Sequence, residues 1–133
     1  MEGEVEHGKL FGFDYCILEH PRMKHLLGYL AVPADHPWFR KDYNKINCTV
    51  HGGLTFAGDN DGHPYKAEGD VWWVGFDCAH SYDRMPGMEA IEKEKYGWEP
   101  LYQEGATYKD RDYVFNEIMK MAEQASAVYE PYK

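Results

Sequence analysis

An α+β domain is the fold class the sequence predicts: a small, mainly antiparallel four-stranded sheet with a C-terminal helix packed on one face. Two strand-like stretches and one helical period predict it. Ile46 to Phe56 and Val71 to Cys78 alternate in polarity as strand side chains do. Val114, Ile118, Met121, Ala125 and Val128 recur at helical spacing and form one apolar stripe. At 133 residues the chain is read as one domain, with sheet over 10–80, a variable connection over 81–106 and the helix over 107–129.

The elements follow in order. Leu10 to Glu19 is expected as a first strand, ended by the turn at His20-Pro21-Arg22-Met23-Lys24. Leu26 to Val32 is a second strand, stopped by Pro33. The long connection that follows carries Pro37 and allows only a short helical turn around Phe39 to Tyr43. Ile46 to Phe56 is the third strand and Val71 to Cys78 the fourth. The Gly- and Asp-rich run between them, 57–70, is a hairpin with a generous loop. Met88 to Tyr96 could form a helix closed by Gly97. Thr107-Tyr108-Lys109-Asp110 has capping-box spacing, so the last helix is expected to start there and to run to about Tyr129.

Composition narrows the function classes. A net charge of -9 repels extended nucleic acid and anionic membrane, and the few basic residues are scattered. No apolar run reaches the ~18 residues of a membrane helix. The acidic start, Glu2-Gly3-Glu4-Val5-Glu6, is unlike a signal peptide. Cys16, Cys48 and Cys78 are odd in number and form no C-x-x-C pair, which reads as a cytoplasmic protein with reduced, buried thiols. Homo-oligomerisation stays open.

The candidate chemistry lies in the third and fourth strands. If their apolar faces share one core, the opposite face shows Thr49, His51, Thr55, Trp73 and Asp77, with Gly53 and Gly75 between them. Glycine inside a strand often marks the close approach of a ligand or another backbone. His51 and Asp77 on adjacent strands would share a face, where a carboxylate raises and orients an imidazole. The structural alternative is a His–Asp bond that only fixes register. Trp73 could stack on a planar ring or pack beneath a loop. His51, His63, Asp77, Cys78, His80 and Asp83 could ligate a metal. Asp77 and His80 point to opposite sides of a regular strand, and no metal motif is present, so neither metal nor cofactor is expected. Gly52-Gly53 lacks the rest of a phosphate-loop motif.

Gly28-Tyr29-Leu30-Ala31-Val32-Pro33, His36-Pro37, Val50-His51-Gly52-Gly53-Leu54-Thr55-Phe56, and Trp73-Val74-Gly75-Phe76-Asp77-Cys78-Ala79-His80 stand out as motifs. With the helix that opens on Thr107 and passes through Gln124, they resemble a group of small proteins encoded by bacteriophages and prophages. The resemblance runs from Gly28 to Gln124. It implies a setting more than an activity. Some small phage proteins of this size sequester or cleave the nucleotide signals that trigger bacterial defence.

The expected function is therefore capture of a small nucleotide-derived ligand over the sheet. His51, Thr55 and Asp77 would bond ribose or base edges, and Trp73 would stack on the base. Backbone N–H groups at Gly52 and Gly53 would approach phosphate, with Arg84 or Lys66 offsetting its charge. The alternative is a hydrolase of the same ligand class, with His51 as base and His80 as acid, or with His and Asp side chains holding a metal. A third is an inhibitor of a host protein that acts through an aromatic surface.

Overall fold

The structure, a computed structural model, describes residues 3–78, 90–91, 93–95 and 107–129. Five strands make one antiparallel sheet: β1 (Gly3–Leu10), β2 (Phe13–Glu19), β3 (Leu26–Pro33), β4 (Phe56–Asp59) and β5 (Val71–Asp77). Their spatial order is β1-β2-β3-β5-β4. The helix α1 (Arg111–Ala127) packs on one face of the sheet. The class is the α+β arrangement expected, with one strand more. The helix expected over Met88 to Tyr96 falls largely outside the described residues, of which 90–91 and 93–95 are helical.

The additional strand is β1. Phe11 and Gly12 both have positive φ, 54° and 84°, and join Leu10 to Phe13 as a two-residue hairpin turn. That geometry usually carries Asn or Asp before the glycine, so the sequence does not announce it. The strand is mostly exposed and polar, and a bulge falls between Glu4 and Glu6. Glu6 fastens it to the rest of the fold. Its carboxylate accepts Arg111 Nε–H at 2.6 Å and Nη2–H at 2.7 Å, and the Tyr15 hydroxyl at 2.5 Å. The Arg111 bonds hold the Glu6 carboxyl below its usual pKa. Burial, aided by Glu6, pushes the Tyr15 phenol up to about 12.

The third strand differs more. Ile46 to Thr55 is not a strand: a short 3-10 turn, η1 (Tyr43–Lys45), leads into irregular chain, and the strand proper begins at Phe56. The alternation read in this stretch is real as burial. Ile46 and Val50 are buried, and Cys48 and Leu54 are partly buried against the same core. Alternation marks which side chains point inward but does not supply a ladder partner. Only Thr55 N–H continues the β4 pairing, donating to Gly75 O at 2.9 Å.

Both faces of the central strands are covered. The helix face joins Tyr15, Ile17, Leu30, Val74 and Phe76 to Val114, Ile118, Met121 and Ala125 of α1. The distal face joins Cys16, Leu18, Tyr29, Val71 and Trp73 to Tyr65 and Ala67, so the β4–β5 loop folds back across the sheet as a third layer. Two glycines set the close packing between β3 and β5. Gly28 pairs with Phe76 and Gly75 with Tyr29. A Cβ at Gly28 would meet Phe76 Cε1 at 2.6 Å and Ile118 Cγ1 at 3.0 Å. One at Gly75 would meet Tyr29 Cδ1 at 2.4 Å and the Gly28 carbonyl oxygen at 2.7 Å. Gly75 thus makes room for Tyr29; the close approach read at this glycine comes from the protein itself.

The helix begins three residues later than its capping signal suggests. Asp110 is the N-cap, and its side chain accepts Tyr113 N–H at 2.9 Å. Val114, Ile118, Met121 and Ala125 are fully buried as the stripe requires, whereas Val128 is exposed beyond the helix end.

Ile118→Ala and Met121→Ala should each lower stability by roughly 2–5 kcal/mol, as buried large-to-small changes do. Urea unfolding midpoints check this. Gly75→Ala carries a sign test. In an open strand it would be neutral or stabilising. Here it should cost about 1–3 kcal/mol by overpacking, because the backbone oxygen of Gly28 cannot swing aside.

Candidate functional site

The residues expected to form one site lie on two sides of the sheet. His51 is on the helix side, in the turn Val50-His51-Gly52-Gly53, where Gly53 N–H donates to Val50 O at 2.9 Å. Gly52 and Gly53 have φ of 65° and 83°. Glycine at the third position of such a turn adopts that conformation without a Cβ penalty, so the turn accounts for Gly52, and Gly53 continues in the same left-handed region, where a side chain is strained. Asp77 ends β5 opposite Leu27 and shares the distal face with Trp73. His51 and Asp77 therefore do not share a face, because the segment carrying His51 crosses the helix side instead of pairing with β5. Thr55 is exposed beside β4. His80 and Arg84, like Asp83, lie outside the described residues.

Side chains of α1 hold the His51 segment where a neighbouring strand would otherwise do so. Gln124 serves both backbone groups of Thr49: its Oε1 accepts Thr49 N–H at 2.8 Å and its Nε2 donates to Thr49 O at 2.8 Å. Glu117, buried in α1, accepts His51 N–H at 2.8 Å and forms an ion pair with Lys120 at 2.7 Å. The Tyr113 hydroxyl lies 2.7 Å from His51 Nδ1. A phenol is thus a partner of His51 on this side, and Glu117 engages its backbone.

On the distal face Trp73 is fully buried. Its Nε1–H donates to Asn60 Oδ1 at 3.0 Å. The same Asn60 clamps the loop, accepting Ala67 N–H at 3.0 Å and donating to Ala67 O at 2.7 Å. The indole does not stand open as a stacking surface, because the His63 ring already lies on it, 4.2 Å away and nearly parallel at 11°. His63 is the residue that sequence reasoning missed in this role. The available signal was a histidine in a polar loop opposite a tryptophan strand, and loop length alone does not fix which residue folds inward. Burial pushes the His63 imidazole down to about 4.

A groove of about 500 Å³ opens where this loop meets β1 and β2. Tyr65 stacks on His7 with ring centroids 5.0 Å apart and forms one wall. Lys9 and Lys66 bring ammonium groups, and Asp14 and Glu68 bring carboxylates. Lys9 bonds Asp14 at 3.0 Å, and Lys66 donates to the Asp61 carbonyl at 2.8 Å. The size lies within the range of small-molecule sites, and the lining offers a ring surface beside charges of both signs. Of these residues the sequence offers Lys66 beside a phosphate and Tyr65 as an aromatic wall; it does not point to His7, Lys9 or Asp14, since it does not announce β1.

The three cysteines form no disulfide, and burial pushes the Cys48 thiol up to about 12, away from thiolate chemistry. Among the described residues no cluster of three or more His, Cys, Asp or Glu could hold a metal ion, and no helix is long and apolar enough to cross a membrane. No family model, curated protein or solved structure matches the chain.

Gln124→Ala should release Thr49 and cost about 1–3 kcal/mol for two hydrogen bonds. Amide exchange at Thr49 should accelerate more than at β3, which separates loss of this clamp from general loosening. Stability should also respond to His63. Its folded pKa of about 4 lies below the ~6.5 of an unfolded histidine. Above about pH 6.5 both states are neutral and the full stability is present. As pH falls from about 6.5 to 4 the unfolded chain binds the proton first, and stability drops by on the order of 3 kcal/mol before this contribution levels off. His36, lowered by burial, acts in the same direction. Urea midpoints across this range should fall less steeply in His63→Phe than in the wild type.

Proposed function

We propose that the protein binds and sequesters a small nucleotide-derived ligand, in the setting of a phage protein that blunts a host signal. The observation that carries the reading is the groove at the β1 end of the β4–β5 loop. It pairs an aromatic wall, Tyr65 on His7, with the ammonium groups of Lys9 and Lys66. A base or sugar can lie on the first and a phosphate can lie against the second. The carboxylates of Asp14 and Glu68 can accept from ribose hydroxyls, while disfavouring a ligand of high negative charge. The proposed site thus differs from the His51–Trp73–Asp77 surface read in the sequence: it lies on the distal face that Trp73 and Asp77 share, at the β1 end, and leaves out His51.

The hydrolase reading keeps one specific observation: His51 Nδ1 within 2.7 Å of the Tyr113 hydroxyl on the helix side. One experiment separates the two readings. The protein is incubated with a panel of cyclic and linear nucleotides, recovered, denatured, and the released material identified. Intact nucleotide is the expected result; products that disappear in His51→Ala would replace the binder with a hydrolase. Tyr65→Ala should weaken capture by about 1–3 kcal/mol, the worth of base–aromatic stacking. Lys9→Ala should weaken it and flatten its salt dependence. Capture that is indifferent to both substitutions would place the ligand elsewhere.

A further inference from the structure

The distal face holds an arrangement that apolar packing does not call for. His63 belongs to a loop, yet only 1 % of its surface is exposed. Trp73 lies flat beneath its ring. Tyr29 meets the ring edge-on at 4.5 Å, and Phe56 closes a third side at 5.9 Å. The imidazole therefore fills an aromatic box. Its Nδ1 is served by the Tyr65 backbone, 2.8 Å from the carbonyl oxygen and 3.1 Å from the amide nitrogen. One tautomer donates to the carbonyl and the other accepts from the N–H. In either tautomer Nε2 is buried without a partner. A buried polar group left unpaired is costly, and an apolar side chain would fill the box without that cost. The loop that carries His63 is held by the Asn60 clamp, by the Lys66 bonds to the Asp61 and His63 carbonyls, and by the packing of Tyr65 and Ala67, both only partly buried, on the distal core.

We propose that the box of Trp73, Tyr29 and Phe56 is a binding site for a flat, neutral nitrogen heterocycle of the nucleobase class, and that His63 is the internal ring that fills it until the loop lifts. The box residues are uncharged, so a phosphate has no partner there. Tyr65 links the box to the groove: it stacks on His7 and turns its edge to Trp73 at 6.0 Å. The inference rests on the groove as a nucleotide site and deepens it. The base enters the box while the charged part stays beside Lys9 and Lys66.

Adenine is the test probe, since it lacks the ribose and phosphate that the groove would engage. Binding is read from the ring signals of His63 and the indole N–H of Trp73 by NMR. Adenine should shift both in the wild type. His63→Ala should bind it at least about tenfold tighter, because a site open about a tenth of the time has its affinity reduced by that fraction. His63→Phe keeps a ring on Trp73 without the orphaned nitrogen and should abolish adenine binding. Unaltered affinity in His63→Ala, or adenine binding by His63→Phe, overturns the proposal. If His63→Ala does not fold, the other pair decides: a Trp73 shift in the wild type alone supports the box, and equal behaviour of wild type and His63→Phe overturns it. A nucleotide retained by the wild type and weakened by Lys9→Ala, with His63 signals unmoved, removes the box and leaves the groove. Adenine in the box with no nucleotide retained removes the groove instead.

Discussion

The exchange of glycines and aromatic rings between β3 and β5 governs the rest of the fold. Each strand carries one glycine and one large ring in adjacent positions, and the register sets ring against glycine twice, once on each face. On the helix face the missing side chain at Gly28 lets Phe76 lie over the backbone and lets Ile118 approach. On the distal face the space at Gly75 takes Tyr29, which in turn walls the His63 ring. A one-residue slip would move every side chain of a strand to the other face. The two ring–glycine pairs oppose such a slip sterically, since neither glycine has room for a Cβ.

A sheet covered on both sides has no solvated face on which to keep its polar groups. The helix covers one face. The loop between β4 and β5 covers the other and, being a loop, brings unpaired backbone and polar side chains inside with it. Asn60 resolves most of that problem by bonding Ala67 twice and Trp73 once. His63 resolves only half of its own. The helix side meets a similar demand differently: Gln124 and Glu117 give the 47–53 segment the hydrogen bonds that a strand neighbour would have supplied. The two polar devices differ in mobility. The first is carried by a loop, whereas the second projects from a helix locked by fully buried residues.

What the sequence made legible follows from which forces act locally. The β3 and β5 runs, the loop between β4 and β5, and the α1 stripe declare themselves through period and turn residues, and the structure places them where expected, save for the later helix start and Val128 beyond the helix end. β1 was illegible because an edge strand with charged residues has no apolar alternation, and because Phe11-Gly12 is an unusual pair for its turn. The 46–55 segment was misread because inward alternation arises in any extended chain lying on a core. Its hydrogen-bond partners, Gln124 and Glu117, are more than sixty residues away. The candidate site suffered most. Its geometry was built on a strand that is not there, so His51 and Asp77 were set side by side. Gly53 and Gly75 read as room for a ligand, whereas a positive φ accounts for the first and Tyr29 for the second.

This placement bears on binding against catalysis. General acid–base chemistry needs its groups within hydrogen-bond reach of one substrate, at about 2.6–3.2 Å or through one water. His51 sits on the helix side and Asp77 points to the distal side, with the sheet between them, so a substrate could not bridge this pair. A binding site has no such requirement. Stacking surface and charge may be spread over several ångströms, and each contact adds to affinity without a fixed reaction geometry. The groove meets that looser condition, with a ring wall, two ammonium groups and two carboxylates around one opening. The distal face thus meets what the proposed ligand-holding role asks of it. One flat ring is already held there, that of His63 on Trp73.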